Sequence, residues 1–91
     1  MRPDLKAIPR LAPGVRLSDS DRQGKVLLMP ERALRLNSSS FEILSLCDGK
    51  HSVQHIAEKL HAAHPAAELQ RIINDTIDYL DSLHDGRAVD F

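Results

Sequence analysis

An α+β fold of winged helix-turn-helix type, a three-stranded antiparallel sheet followed by three helices, is what this sequence predicts on three observations. The chain has 91 residues and 42% hydrophobic content, which suits one small domain, since single domains usually run to about 100–200 residues. Residues 15–36 alternate apolar and polar in short runs separated by turn formers, the period of two that marks half-buried strands. From Asn37 onward the apolar positions recur at helical spacing instead.

Each element follows in order. Residues 1–14 carry Pro3, Pro9, Pro13 and Gly14, and proline removes amide donors and blocks helix, so this is an extended arm that orders only if something covers it. The folded domain is expected over residues 15–91. Val15-Arg16-Leu17-Ser18 reads as the first strand, Asp19-Ser20-Asp21-Arg22-Gln23-Gly24 as a turn, and Lys25-Val26-Leu27-Leu28-Met29 as the second strand. Pro30-Glu31-Arg32 breaks it, and Ala33-Leu34-Arg35-Leu36 alternates again as a third strand on a sheet edge. Short connections favour an antiparallel meander.

The first helix has Asn37 or Ser39 as its cap, and Ser39 with Glu42 has capping-box spacing. Asp48-Gly49 closes it. A second helix follows Ser52, with Val53, Ile56, Ala57 and Leu60 as one buried stripe, and ends at His64-Pro65. The third, about residues 67–84, ends before Gly86, a residue suited to the left-handed position after a helix. On its wheel Leu69, Ile72, Ile73, Thr76, Leu80 and Leu83 share one side, flanked by Tyr79 and Ile77. That arc of about 160° is wider than the roughly 100° stripe one packing contact needs. The first helix is apolar nearly all round, through Phe41, Ile43, Leu44, Leu46 and Cys47. Such a helix is either sandwiched in the core or bound by a partner.

Charge and composition exclude several classes. Twelve basic residues against 13 acidic ones lack the excess that drives nucleic-acid and anionic-membrane binding. The aliphatic run Val26-Leu27-Leu28-Met29 is far short of the roughly 20 residues of a membrane helix. No apolar stretch follows Met1-Arg2-Pro3-Asp4 to make a signal peptide, and a single Cys fits a reducing compartment. A cytoplasmic protein is expected.

Several sites compete. The winged architecture suggests DNA, but the polar face of the third helix offers Asp75, Asp78 and Asp81 against one Arg71, and carboxylates repel phosphates. Cys47, His51 and His55 recur every four residues, but Gly49 interrupts the helix that would align them as metal ligands. Cys47 as nucleophile with His51 as base is disfavoured by its apolar run, where burial suppresses the thiolate. No phosphate loop or serine elbow is present. Peptide binding fits better: an edge strand presents unpaired amides and carbonyls that a guest strand can complete. The third strand and the wide arc of the third helix then form one groove. Arg32 and Arg35 would attract an acidic peptide, although edge charges also serve to prevent aggregation.

The segments Pro9-Arg10-Leu11-Ala12-Pro13-Gly14-Val15-Arg16-Leu17, Val26-Leu27-Leu28-Met29-Pro30-Glu31, Leu36-Asn37, Glu42-Ile43-Leu44 and Leu46-Cys47-Asp48-Gly49, with Ser52-Val53 and Ile56, together resemble the PqqD family. The similarity runs from about Pro9 to Leu83 and fades over Arg87-Ala88-Val89-Asp90-Phe91. The resemblance implies a peptide chaperone of pyrroloquinoline quinone (PQQ) biosynthesis. Such a protein binds the precursor peptide PqqA and presents it to PqqE, a radical S-adenosylmethionine enzyme that cross-links a Glu and a Tyr of that peptide. It implies a guest strand beside Ala33, Leu34, Arg35 and Leu36, facing helix residues drawn from Ile72, Ile73, Thr76, Ile77 and Leu80. The iron–sulfur cluster and S-adenosylmethionine would belong to the enzyme, leaving this chain no cofactor, no metal and no catalytic residue, with Cys47 in the core. The alternative is a general interaction module, including a homodimer made by exchange of the proline-rich arm.

Overall fold

The computed structural model describes residues 3–91. Period-two alternation in the first third of the chain gives β2 (Arg16–Ser20), β3 (Gly24–Leu28) and β4 (Ala33–Arg35), all antiparallel in the order β2-β3-β4. The β2–β3 hairpin closes over three residues with Gly24 at φ 71°, a left-handed position that suits glycine at the end of such a loop. At the next turn Met29 and Arg32 exchange backbone hydrogen bonds of 2.9 and 3.4 Å around Pro30 and Glu31, so the proline sits where no donor is required. Strand bounds differ from expectation by one or two residues, and Leu36, beyond the end of β4, still donates to the Lys25 carbonyl at 2.9 Å.

Three helices follow: α1 (Ser38–Ser45), α2 (Val53–Ala63) and α3 (Leu69–Asp85). Of the two candidate caps for α1, the structure uses Asn37, whose side chain accepts from the Ser40 amide at 2.8 Å. Ser39 lies inside the helix, so its capping-box spacing with Glu42 is not used. The helix stops at Ser45 with Leu46 as its cap, earlier than Asp48-Gly49 suggested. Ser52 caps α2 by accepting from His55 at 3.1 Å, and Val53, Ile56, Ala57 and Leu60 are buried on the expected stripe. The apolar girth of α1 is used internally, since the helix packs on β2 and β3 and on α2. Leu27, Leu44, Val53, Ile56, Leu80 and Val89 form the centre of one core.

The end of α3 corrects one expectation. Gly86 is the helix cap at φ −82°, while the left-handed residue is Arg87, at φ 62°. Arg87 donates to the His84 carbonyl (3.0 Å) and Ala88 to that of Leu83 (2.9 Å), the paired bonds of a Schellman ending. This reversal sends the chain into β5 (Val89–Asp90), which pairs antiparallel with β1 (Arg10–Leu11).

The proline-rich segment finds its cover on its own chain. Ala12 donates to the Ala88 carbonyl, Leu11 to Cys47, and Gly49 to Pro9, at 3.0–3.2 Å. The carbonyls of Ala7 and Leu5 accept from Val53 and Gln54 (2.9 and 3.1 Å), supplying two of the donors that the start of α2 leaves without helical partners. Met1 and Arg2 of the expected arm lie outside the described residues.

Candidate functional site

The open edge of β4 follows from its register. Met29 and Arg32 exchange hydrogen bonds and Leu36 bonds back to Lys25, with Leu27 opposite Leu34 between them. Bonded pairs alternate along an antiparallel ladder, so Arg32, Leu34 and Leu36 turn their backbone polar groups inward to β3. Ala33 and Arg35 turn theirs outward, where β4 is last in the sheet order. Side chains alternate in step: Leu34 and Leu36 are half-buried, while Ala33 and Arg35 are exposed.

Beside this edge lies a groove of about 330 Å³ between β4 and the C-terminal half of α3. Leu34 and Leu36 meet Tyr79, Leu83 and Ala88 in it, with Arg32, Arg35, Asn37, Ser40, Ser82 and Gly86 completing the lining. A Cβ at Gly86 would lie 3.4 Å from a terminal nitrogen of Arg32, so the guanidinium crosses that end of the groove close to the helix backbone. A further cavity of about 340 Å³ continues past Arg32 and Gly86 toward Arg87.

The strand half of the expected site is therefore brought together and the helix half is largely displaced. Leu80 is fully buried in the core. Thr76 and Ile72 line a separate cavity among the three helices. Ile73 and Ile77 are half-buried and lie about 120° and 160° round the helix axis from Tyr79 at 3.6 residues per turn, on the flank away from the groove. The helix wall is instead Tyr79, Ser82, Leu83 and Gly86. Those positions repeat at i, i+3, i+4 and i+7 and so share one side of the helix, but Ser82 and Gly86 carry no apolar side chain to mark them.

Cys47, His51 and His55 do not form a three-ligand metal cluster among the described residues. Cys47 is buried and its thiol donates to the Ile43 carbonyl at 3.3 Å. Burial, helped by the neighbouring Asp48 charge, pushes the thiol pKa up to about 12. His51 Nδ1 is 2.9 Å from Asp48 Oδ1, and the His51 and His55 rings lie 5.0 Å apart. On α3, Arg71 approaches Asp75 only to 4.0 Å. Among the described residues, no helix is long and apolar enough to cross a membrane.

Comparison with known proteins bears on the family and the fold. The family model for coenzyme PQQ synthesis protein D (PqqD) matches residues 24–89. A PqqA binding protein of Pseudomonas aeruginosa is 36% identical over 83 residues, covering 90% of this chain and 88% of its own. One of Xanthomonas axonopodis pv. citri is 39% identical over 82 residues, with 89% and 88% covered. A Bradyrhizobium diazoefficiens relative with the same description is 39% identical over 67 residues, which are 74% of this chain and 64% of that one. The solution structure of the PqqD portion of Methylobacterium extorquens PqqCD, described as a stand-alone recognition element for ribosomally synthesised and post-translationally modified peptides, superposes with a TM-score of 0.81. It is 31% identical, with 97% of this chain and 94% of that one covered. By its sequence and its fold together, the chain belongs to the PqqD family.

Proposed function

We propose that this protein binds the precursor peptide PqqA in the cytoplasm and holds it for the radical S-adenosylmethionine enzyme PqqE, taking no chemical step itself. The observation that carries this reading is the open edge of β4 beside an apolar groove, with the Ala33 and Arg35 backbones facing outward. A guest strand would exchange hydrogen bonds with those two residues and seat alternate side chains against Leu34, Leu36 and Tyr79, combining sequence-tolerant attachment with choice by pocket. Arg32 and Arg35 on the rim favour an acidic stretch of guest and would quicken its arrival at low salt.

The work done is ordering and proximity. A disordered precursor gives up conformational entropy when it is held at a reaction centre, and a binding module raises its local concentration there. The buried, protonated thiol of Cys47 suits the core better than chemistry. The relatives described as PqqA binding proteins support the choice of guest.

The test is an isotope-edited NMR titration with the PqqA peptide of the same organism. Shifts at the Ala33 and Arg35 amides and around Tyr79 are expected. The variant Ala33→Pro removes an outward donor without removing a bond to β3, and proline is tolerated on sheet edges. It should stay folded and bind about tenfold more weakly, the worth of about 1.4 kcal/mol. Absence of amide shifts at saturating peptide would sink the reading.

A further inference from the structure

The peptide groove runs on beyond its own wall. Arg32 and Gly86 line both the groove and the neighbouring cavity of about 340 Å³, so the two are continuous at the Ala33 end of β4. Half-buried Val15 and Met29, with Pro13 and Pro30, are the apolar part of that cavity's lining. Its charged part is Arg32, Arg87 and Glu31, all exposed. The guanidinium of Arg32 reaches the helix end, where a terminal nitrogen lies 3.4 Å from the place of a Cβ on Gly86, the residue before Arg87. Among the described residues, none of these three charged side chains is in an ion pair.

Arg87 is also a strained residue. It stands at φ 62°, in the left-handed region that β-carbon sterics penalise and glycine enters freely, and among the described residues it is the one non-glycine there. The turn itself needs only backbone, since the amides of Arg87 and Ala88 make its bonds to the His84 and Leu83 carbonyls. A long charged side chain kept in such a conformation beside a ligand groove points to a use for that side chain.

We infer that Arg87 and Arg32 together bind the carboxylate of one acidic side chain of the guest peptide, one or two positions beyond the residue that pairs opposite Ala33. The inference rests on the peptide-binding reading above. Charge selects the occupant. Two arginines against one glutamate leave the lining one positive charge in excess, which a single carboxylate balances and a doubly charged phosphate group overshoots. Guanidinium forks match the planar carboxylate, and the apolar lining suits the methylenes that carry it. Length sets the position, because a cavity of this volume is about 7 Å across, the reach of about two extended residues at about 3.3 Å each.

A double-mutant cycle on the full chain, read together with amide NMR, tests this. The probes are the PqqA peptide, free and C-terminally amidated, and its single Glu→Gln and Asp→Asn variants, against the wild-type protein, Arg87→Gln and Arg87→Gly. Arg87→Gly relieves the strain and should stay folded, while Arg87→Gln keeps a polar side chain and removes the charge. Each should bind the peptide about threefold more weakly, as for an exposed charge pair. One neutralised acidic residue of the guest should weaken binding to the wild type by the same factor, and the two losses should not add. Glu31→Gln removes the opposing charge and should tighten binding about twofold. All these differences should shrink in about 1 M salt.

Shifts at the Ala33 and Arg35 amides with losses that simply add overturn the subsite and leave the groove reading standing. Coupling of Arg87 to the free C-terminus and to no side chain overturns the occupant. Unchanged affinity in both Arg87 variants confines that guanidinium to the partial negative charge at the end of α3 and overturns the subsite as well. No shift anywhere at saturating peptide removes the groove and the subsite together.

Discussion

Arg87 holds a backbone conformation that β-carbon sterics penalise, at φ 62°, because the Schellman ending needs a left-handed residue one place after Gly86. Replacing it with glycine should raise stability by about 1 kcal/mol, measured by urea denaturation. At Cys47 the thiol is buried with its pKa pushed up to about 12. Native protein should therefore resist a thiol reagent at pH 8 and react only on unfolding. Asp48 is held below the ordinary carboxylate range, first by the hydrogen bond with His51 and in smaller part by the Lys50 amide, against a raising effect of desolvation. A depressed carboxyl stabilises the fold above its unfolded pKa, about 3.9, and that contribution is lost as pH falls through the lower folded value. Asp48→Asn should flatten this acid limb in a pH series of denaturation midpoints. These neighbours of Gly49 were legible as a turn, but the direction in which each side chain points was not.

Among the elements, α3 carries the clearest lesson. Its wide apolar arc showed that the helix serves more than one surface, and the structure assigns the two flanks different work. Both Tyr79 and Ile77 pack against the core, but Tyr79 also lines the groove opposite β4, whereas Ile77, two residues away and about 160° round the axis, does not. Tyr79→Ala should therefore weaken peptide binding about tenfold or more, as for a buried aromatic anchor, with a smaller effect on melting. Ile77→Lys should lower the melting temperature and leave the affinity of the folded fraction unchanged. Calorimetric titration beside thermal melts separates the two. Periodicity placed Leu80 and Thr76 on the apolar side correctly, but it contains no reference to β4, so the face of α3 opposite the strand could not be chosen from it. The wall residues Ser82 and Gly86 gave no hydrophobic signal at all.

For the whole molecule, the two termini close the structure. Ala88 and Val89 are 1% and 0% exposed and β5 pairs with β1, so the weakly matching C-terminal segment is a structural member that also lines the groove through Ala88. Ending the chain after Gly86 should cost at least about 2 kcal/mol from Val89 alone. Against the 5–15 kcal/mol typical of natural domains, the truncated protein should show a clearly lower denaturation midpoint and weaker peptide binding. By itself the sequence determined the α+β class, the three-stranded meander, the start of α2 after Ser52, the buried stripe of α2 and the family, because each is written in local period, turn chemistry or ordered motifs, while the choice of Asn37 over Ser39 as the cap of α1 was left to the structure. Only the tertiary structure decided that the backbone of residues 5–12 is hydrogen-bonded to its own chain, that Arg87 and not Gly86 makes the left-handed turn, and that the groove wall is Tyr79, Ser82, Leu83 and Gly86. Those outcomes depend on which surfaces meet across long stretches of chain, and local periodicity carries no information about the partner of a face.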